Sequence, residues 1–125
     1  MDESVLIVGA GFGLSASLAR LCASKEMKVV LAARNIEKLE DLKKEVNAET
    51  YKCDSTDIEN VKNLFNETDK AIGTPNLVVY NPSARLKGSI TELDPKKTQE
   101  AINVTCFGAF LVAQEASKRM LKRKS

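Results

Sequence analysis

Histidine and tryptophan are absent from this 125-residue chain, and aromatic residues make up only 5% of it. Without histidine, the commonest metal ligand and the commonest general base are gone. So few rings exclude an aromatic stacking platform for single-stranded nucleic acid. Cysteine is scarce too: Cys22, Cys53 and Cys106 are odd in number and form no C-x-x-C pair, which argues against a zinc site or a disulfide framework. Free thiols suit a reducing compartment. Neither sign of charge dominates, with 19 Lys and Arg against 17 Asp and Glu, a net +2. That excludes a strongly basic nucleic-acid binder and an acidic disordered chain. No apolar run reaches membrane-spanning length, and the acidic start Met1-Asp2-Glu3-Ser4 fits no signal peptide. The expectation is a cytoplasmic protein with neither nucleic acid nor membrane as partner. The cations Lys118, Arg119, Lys122, Arg123 and Lys124 crowd the last eight residues. They read as the solvated end of a helix, where positive charge offsets the helix dipole.

What is present is one domain's worth of chain, residues 1–125, 43% hydrophobic and without internal breaks or repeats. Val5 to Val8 is a short apolar run ending at a glycine cluster, the pattern of a buried strand. A helix follows from Gly13, with Leu14, Leu18, Leu21 and Cys22 at helical spacing. Lys28 to Ala33 reads as a second strand. Asn35 is placed to cap a second helix, striped by Ile36, Leu39, Leu42 and Val46. Glu49 to Cys53 reads as a weaker third strand. Thr56 and Glu59 have capping-box spacing before a helix with Ile58, Val61, Leu64 and Phe65. Leu77 to Tyr80 is a fourth strand. Asp94 and Pro95 then suit the cap and first residue of a long helix reaching about Lys122. Strand and helix thus alternate four times, which predicts an α/β fold: a parallel sheet with helices on both faces, in three layers. Cys22 and Cys106 fall on apolar helix faces and read as core residues. Cys53 reads as buried at its strand end.

Gly9-Ala10-Gly11-Phe12-Gly13-Leu14 lies directly between the first strand and the first helix. Glycines there let the backbone turn tightly and approach a pyrophosphate, while the helix N-terminus offers free N–H groups and a positive dipole end. The expected ligand is a dinucleotide. No G-x-x-x-x-G-K-[S/T] string occurs, so a P-loop hydrolase is disfavoured. The second strand ends Ala33-Arg34-Asn35, with no carboxylate to hold a ribose 2′-hydroxyl. Arg34 suits a 2′-phosphate, which points to NADP(H) rather than NAD(H).

These residues together resemble the short-chain dehydrogenase/reductase family. Gly9-x-x-x-Gly13-x-Ser15 is similar to its G-x-x-x-G-x-G turn, and Cys53-Asp54 to the aspartate that meets the adenine. Asn81-Pro82-Ser83-Ala84 resembles its N-A-G motif, and Thr105-Cys106-Phe107-Gly108 its N-x-x-G. The resemblance spans essentially the whole chain and implies a Rossmann-like sheet in strand order 3-2-1-4. It also implies NADP(H)-dependent oxidoreduction of alcohols or carbonyls. The cofactor-binding residues so implied are Gly9, Gly11, Phe12, Gly13, Leu14, Arg34, Asn35, Asp54, Ser55, Asn81, Pro82 and Ser83.

The departures are as informative. Ser15 replaces the third glycine, and Pro82-Ser83 replaces Ala-Gly, removing an N–H beside the cofactor. Thr105 falls where the family has a catalytic asparagine, and Asn103 lies two residues away on another side of the helix. The family's chemistry uses a Tyr-x-x-x-Lys pair and an upstream serine. Here Ser55 follows Tyr51 by four residues and Ala84 follows Tyr80, so no such pair exists and no catalytic residue is assigned. The fourth strand, apolar on both faces, would be an open edge. The stretch from Val104 to Ala113, polar only at Thr105, is apolar nearly all round. Both features point to a missing C-terminal half or to a homo-oligomer. The alternative to an oxidoreductase portion is a non-catalytic nucleotide-binding or self-associating module.

Overall fold

The computed structural model describes residues 3–123; Met1, Asp2 and Lys124, parts of the acidic start and basic end, lie outside them. The elements are β1 (Ser4–Val8), α1 (Leu14–Ser24), β2 (Lys28–Ala33), α2 (Glu40–Val46), β3 (Glu49–Lys52), α3 (Ile58–Ile72), β4 (Leu77–Tyr80), α4 (Pro95–Ile102) and α5 (Gly108–Arg123). A 3-10 turn, Glu37–Leu39, leads into α2, and a π-helical turn, Asn103–Phe107, joins α4 to α5. The four strands form one parallel sheet in the order β3-β2-β1-β4. This is the expected Rossmann-like α/β topology.

Alternation along each strand sends side chains to both faces, and both are covered. On one face Val5, Ile7, Val29 and Leu31 pack against Ala16, Ala19 and Cys22 of α1 and Leu42 and Val46 of α2. On the other, Leu6, Val8, Val30 and Ala32 meet Val61, Leu64 and Phe65 of α3 and Leu111, Val112 and Ala116 of α5. Pro95 opens α4, and Asp94 caps it by accepting the Lys96 N–H at 3.2 Å, as expected.

Several local expectations are corrected. The buried side of α1 is Ser15, Ala16, Ala19 and Cys22, while Leu14 and Leu21 are exposed. The fully buried positions of α1 are all small side chains, and Leu18 packs at the edge of the same core. The cap of α3 is Asp57, whose carboxylate accepts the Asn60 N–H at 3.1 Å, rather than Thr56. Ile58, in the first turn of α3, is half exposed. β3 ends at Lys52, one residue short of Cys53. Asn35 accepts the Glu37 N–H at 3.1 Å, so it starts the 3-10 turn and α2 proper begins at Glu40.

The single long helix expected after Pro95 is interrupted by the π-helical turn. The wider turn presents the Val104 carbonyl to the hydroxyl of Tyr80, which donates to it and lies 3.0 Å from Ser55 Oγ. Gly108 makes the approach possible: a Cβ there would collide with the Tyr80 hydroxyl and come within 3.0 Å of the Ser55 carbonyl. The same turn carries Cys106 to the exposed side, contrary to its expected core position.

The basic end is less solvated than expected. Arg119 lies 5.1 Å over the Phe65 ring and donates to Asp69 (2.8 Å), Glu115 (3.0 Å) and Asn66 (3.1 Å), tying α5 to α3. Burial pulls the Glu115 carboxyl up, but hydrogen bonds from Arg119 and Lys118 outweigh it and hold its pKa below the usual value. Arg123 donates to the Thr74 and Pro75 carbonyls before β4. The outer edge of β4 has no neighbouring strand among the described residues, and its Leu77 is 44% exposed.

Gly108→Ala should destabilise the fold by roughly 1–3 kcal/mol, the usual cost of forcing a methyl into a packed contact. Urea unfolding read by far-UV circular dichroism checks this; an unchanged midpoint would show that the α5 approach is loose.

Candidate functional site

All four strands point their C-terminal ends at one open cleft of about 270 Å³. Its walls come from the residues just beyond each strand: Gly9 and Ala10 after β1, Arg34 and Lys38 after β2, Cys53 to Ser55 after β3, and Asn81 to Ser83 after β4. Val104 of the π-helical turn closes one side. In a parallel α/β sheet this is the place where strand order reverses and ligands bind.

The glycine turn is shaped by close approach. Gly9 (φ 84°) and Gly13 (φ 79°) take left-handed backbone. A Cβ on Gly9 would come within 2.5 Å of the Pro82 nitrogen and 2.7 Å of its Cδ. Pro82 therefore packs its ring where only a hydrogen fits. The Gly9 and Ala10 N–H groups donate to the Ala32 carbonyl at 2.9 and 3.0 Å, stitching the turn to β2. Ser15, in place of the family's third glycine, is buried. Its hydroxyl accepts from Asn81 Nδ2 at 2.8 Å and donates to the Gly9 carbonyl at 3.2 Å. Asn81 is thus tied to the turn as well as to the Val8 carbonyl, which its N–H reaches at 2.9 Å.

The N-terminus of α1 carries no side-chain cap and no acidic residue in its first turn, whereas α3 and α4 are capped by Asp57 and Asp94. Its first N–H groups therefore have no side-chain acceptor from a cap, and the positive end of its dipole has no carboxylate in the first turn. Phe12, 84% exposed, and Leu14, 64% exposed, flank it.

Asp54 accepts the Thr56 hydroxyl at 2.7 Å and the Thr56 N–H at 3.0 Å, both on Oδ1. These bonds and the nearby Arg34 charge hold its carboxyl below the usual range, against a small opposing effect of burial. Oδ2 has no hydrogen-bond partner among the described residues. Cys53 is buried, and burial with the charges of Asp54 and Asp57 pushes its thiol up to about 11. Ser55 spends its hydroxyl on Tyr80. Burial raises the Tyr80 phenol in spite of that bond. Thr105 accepts a long bond, 3.4 Å, from the Ala84 N–H.

Of the residues singled out from sequence, Gly9, Arg34, Asp54, Ser55, Asn81, Pro82 and Ser83 share this cleft. Gly11, Phe12, Gly13, Leu14 and Asn35 are not among its walls. Sequence reasoning missed Lys38 and Val104.

The thiols give a chemical check. A pKa near 11 leaves only about a thousandth of Cys53 ionised at pH 8, and the thiolate is the reactive form. Iodoacetamide at pH 8 should label exposed Cys106 first and reach Cys22 and Cys53 only on unfolding. Early labelling of Cys53, located by peptide mass mapping, would contradict the closed strand end.

Comparison with known proteins follows the same geometry. The family model described as "short chain dehydrogenase" matches residues 3–125. An "uncharacterized oxidoreductase" of Staphylococcus aureus strain USA300 is 29% identical over 127 residues, covering 99% of this chain and 55% of the relative. One from Staphylococcus saprophyticus is 28% identical over 130 residues, covering 99% and 56%. Among solved structures, an actinorhodin polyketide ketoreductase with NADPH superposes with a TM-score of 0.92 at 24% identity, covering 98% of this chain and 49% of that one. ElxO with NADP bound gives 0.88 at 27% identity, covering 98% and 52%. The chain spans about half the length of these relatives. Its four strand-end motifs, its strand order and the matched family model agree: the chain belongs to the short-chain dehydrogenase family.

Proposed function

We propose that residues 1–125 are the cofactor-binding portion of an NADP(H)-dependent oxidoreductase acting on alcohol or carbonyl substrates. The observation that carries this reading is the shared cleft, in which the close-packed start of the glycine turn, Gly9 and Ala10, lies with Arg34 at the end of β2, and the turn leads into a helix with no side-chain cap. Backbone N–H groups and the dipole of α1 would hold the pyrophosphate. Arg34 would pair with the 2′-phosphate, and the free oxygen of Asp54 would accept from the adenine amino group. Asn81, Pro82 and Ser83 would form the wall beside the nicotinamide half. When bound, the nicotinamide supplies or accepts the hydride. NADPH in the ketoreductase structure and NADP in ElxO support the cofactor assignment.

The residues present hold a dinucleotide but do not move a proton to substrate oxygen. Neither Tyr51 nor Tyr80 is followed by lysine at the fourth position, and the Tyr80 hydroxyl is committed to Val104 and Ser55. The Thr105 hydroxyl bonds the Ala84 backbone. We therefore assign binding and orientation to this chain and no catalytic residue.

Thermal unfolding with and without cofactor tests the reading. Saturation at ten times Kd stabilises the native state by about 1.4 kcal/mol, which raises Tm by roughly 5 °C for a chain of this size. NADPH should give the larger rise and NADH a smaller one. No shift with either at millimolar concentration would remove the dinucleotide assignment, and a larger shift with NADH would reverse the choice of cofactor. Turnover of carbonyl substrates by this chain alone would overturn the non-catalytic assignment.

A self-associating module is a second reading, favoured by the exposed apolar side chains of Ile102, Phe107 and Phe110. The two phenyl rings stack at 6.3 Å between centroids and remain about half exposed. Sedimentation velocity should then show a dimer whose dissociation is promoted by Phe110→Lys; a monomer at high micromolar concentration would exclude it.

A further inference from the structure

Ser15 stands where the family pattern has its third glycine, and its side chain is inside, at 1% exposure. The hydroxyl has two neighbours, the Gly9 carbonyl at 3.2 Å and the Asn81 carboxamide at 2.8 Å. A hydroxyl has one proton to give, and a carbonyl oxygen can only accept. The Gly9 carbonyl therefore takes that proton. The lone pairs of Ser15 Oγ are left for Asn81, and only the nitrogen end of a carboxamide can meet them. Of the two ways the Asn81 side chain could be flipped, the buried hydroxyl permits one: Nδ2 toward Ser15, Oδ1 away from it.

The oxygen so placed has nothing to do inside the protein. Asn81 is exposed and is a wall of the cleft. Its backbone N–H is spent on the Val8 carbonyl. Its Oδ1 receives no hydrogen bond among the described residues, while Nδ2 is engaged by Ser15. Pro82, the next wall residue, has no N–H with which to occupy it. Without Ser15 the carboxamide could turn either end to a ligand. With it, the carboxamide is set as an acceptor before any ligand arrives.

We propose that Ser15 is a positioning residue for the dinucleotide, holding Asn81 so that Oδ1 accepts a ribose hydroxyl on the nicotinamide side of the ligand. The inference rests on the dinucleotide reading above and gives a role to a serine that the family pattern does not carry. Ser15 is not a wall of the cleft and acts only through Asn81. The gain is preorganisation, since the amide does not have to be ordered at the moment of binding.

The test is calorimetric titration of the full chain with NADPH and with adenosine 2′,5′-bisphosphate, which lacks the nicotinamide half. It is repeated for Ser15→Ala, Ser15→Gly, Asn81→Ala and the double variant Ser15→Ala with Asn81→Ala. Thermal unfolding without ligand verifies that each variant folds, and Ser15→Gly, which restores the family residue, serves where alanine does not. Removing the hydroxyl should weaken NADPH by roughly three- to tenfold, the range for one neutral hydrogen bond, and leave the bisphosphate within about twofold. Asn81→Ala should weaken NADPH as much, and adding Ser15→Ala to it should cost nothing more. In nitrogen–proton NMR spectra the Asn81 side-chain amide pair should shift on Ser15→Ala. Equal losses for both ligands, no loss for either, or a further loss in the Asn81→Ala background overturn the role of Ser15 while the dinucleotide reading stands. An Asn81 amide pair that does not shift has the same meaning, as does a wild-type chain that binds the bisphosphate as tightly as NADPH. Failure of the wild-type chain to bind either ligand overturns both.

Discussion

The site depends on the contact between Gly9 and Pro82. Gly9 directly follows β1, and Pro82 lies two residues beyond β4, the strand beside it, so their backbones meet where β1 and β4 part. The proline ring occupies the space a Cβ would need. The glycine turn cannot swing toward β4, and its first two N–H groups are held on Ala32 of β2. The turn is thereby fixed from both sides, and it leads into α1, which has no side-chain cap of its own.

Two departures from the family pattern become mutually intelligible in this frame. Proline in place of alanine removes a donor at the end of β4 and stiffens it. Serine in place of the third glycine adds a hydroxyl that joins Asn81 to the Gly9 carbonyl. Both act on the same junction. The site is a tightened version of the glycine turn, with each foreign side chain packed or hydrogen-bonded rather than left over.

β1, β2 and β4 were legible as short apolar runs, β1 stopped by glycine and β4 by Asn81-Pro82, while the polar β3 was legible mainly because alternation with helical stripes implies a parallel sheet. The Arg34 position was legible for the same reason, since a strand end is easy to locate. What was misread depended on distance between elements. The leucines of α1 looked like its core face, yet its fully buried positions are small side chains, Ser15 and Ala19 among them. Cys106 reads as buried on a regular helix, but it lies within the π-helical turn, whose wider pitch shifts the phase there and leaves it exposed. Lys38 escaped notice because its position over Gly11 exists only once the chain has folded back from β2.

The order of strands also has a consequence for the time course of folding. β1 is the first strand in the chain, but it pairs with β2 on one side and β4 on the other. Ser4 donates its N–H to Asn76, 72 residues later. β1 cannot be paired on both edges until residue 80 has been made and brought back to the start of the chain. Such distant pairings close slowly, because loop entropy is lost before the contacts are gained. During synthesis on the ribosome, β1, β2 and β3 can therefore pair before β4 is made, which leaves the apolar edge of β1 open. The nascent chain depends on the arrival of β4 to end its exposure to mispairing and to capture by chaperones.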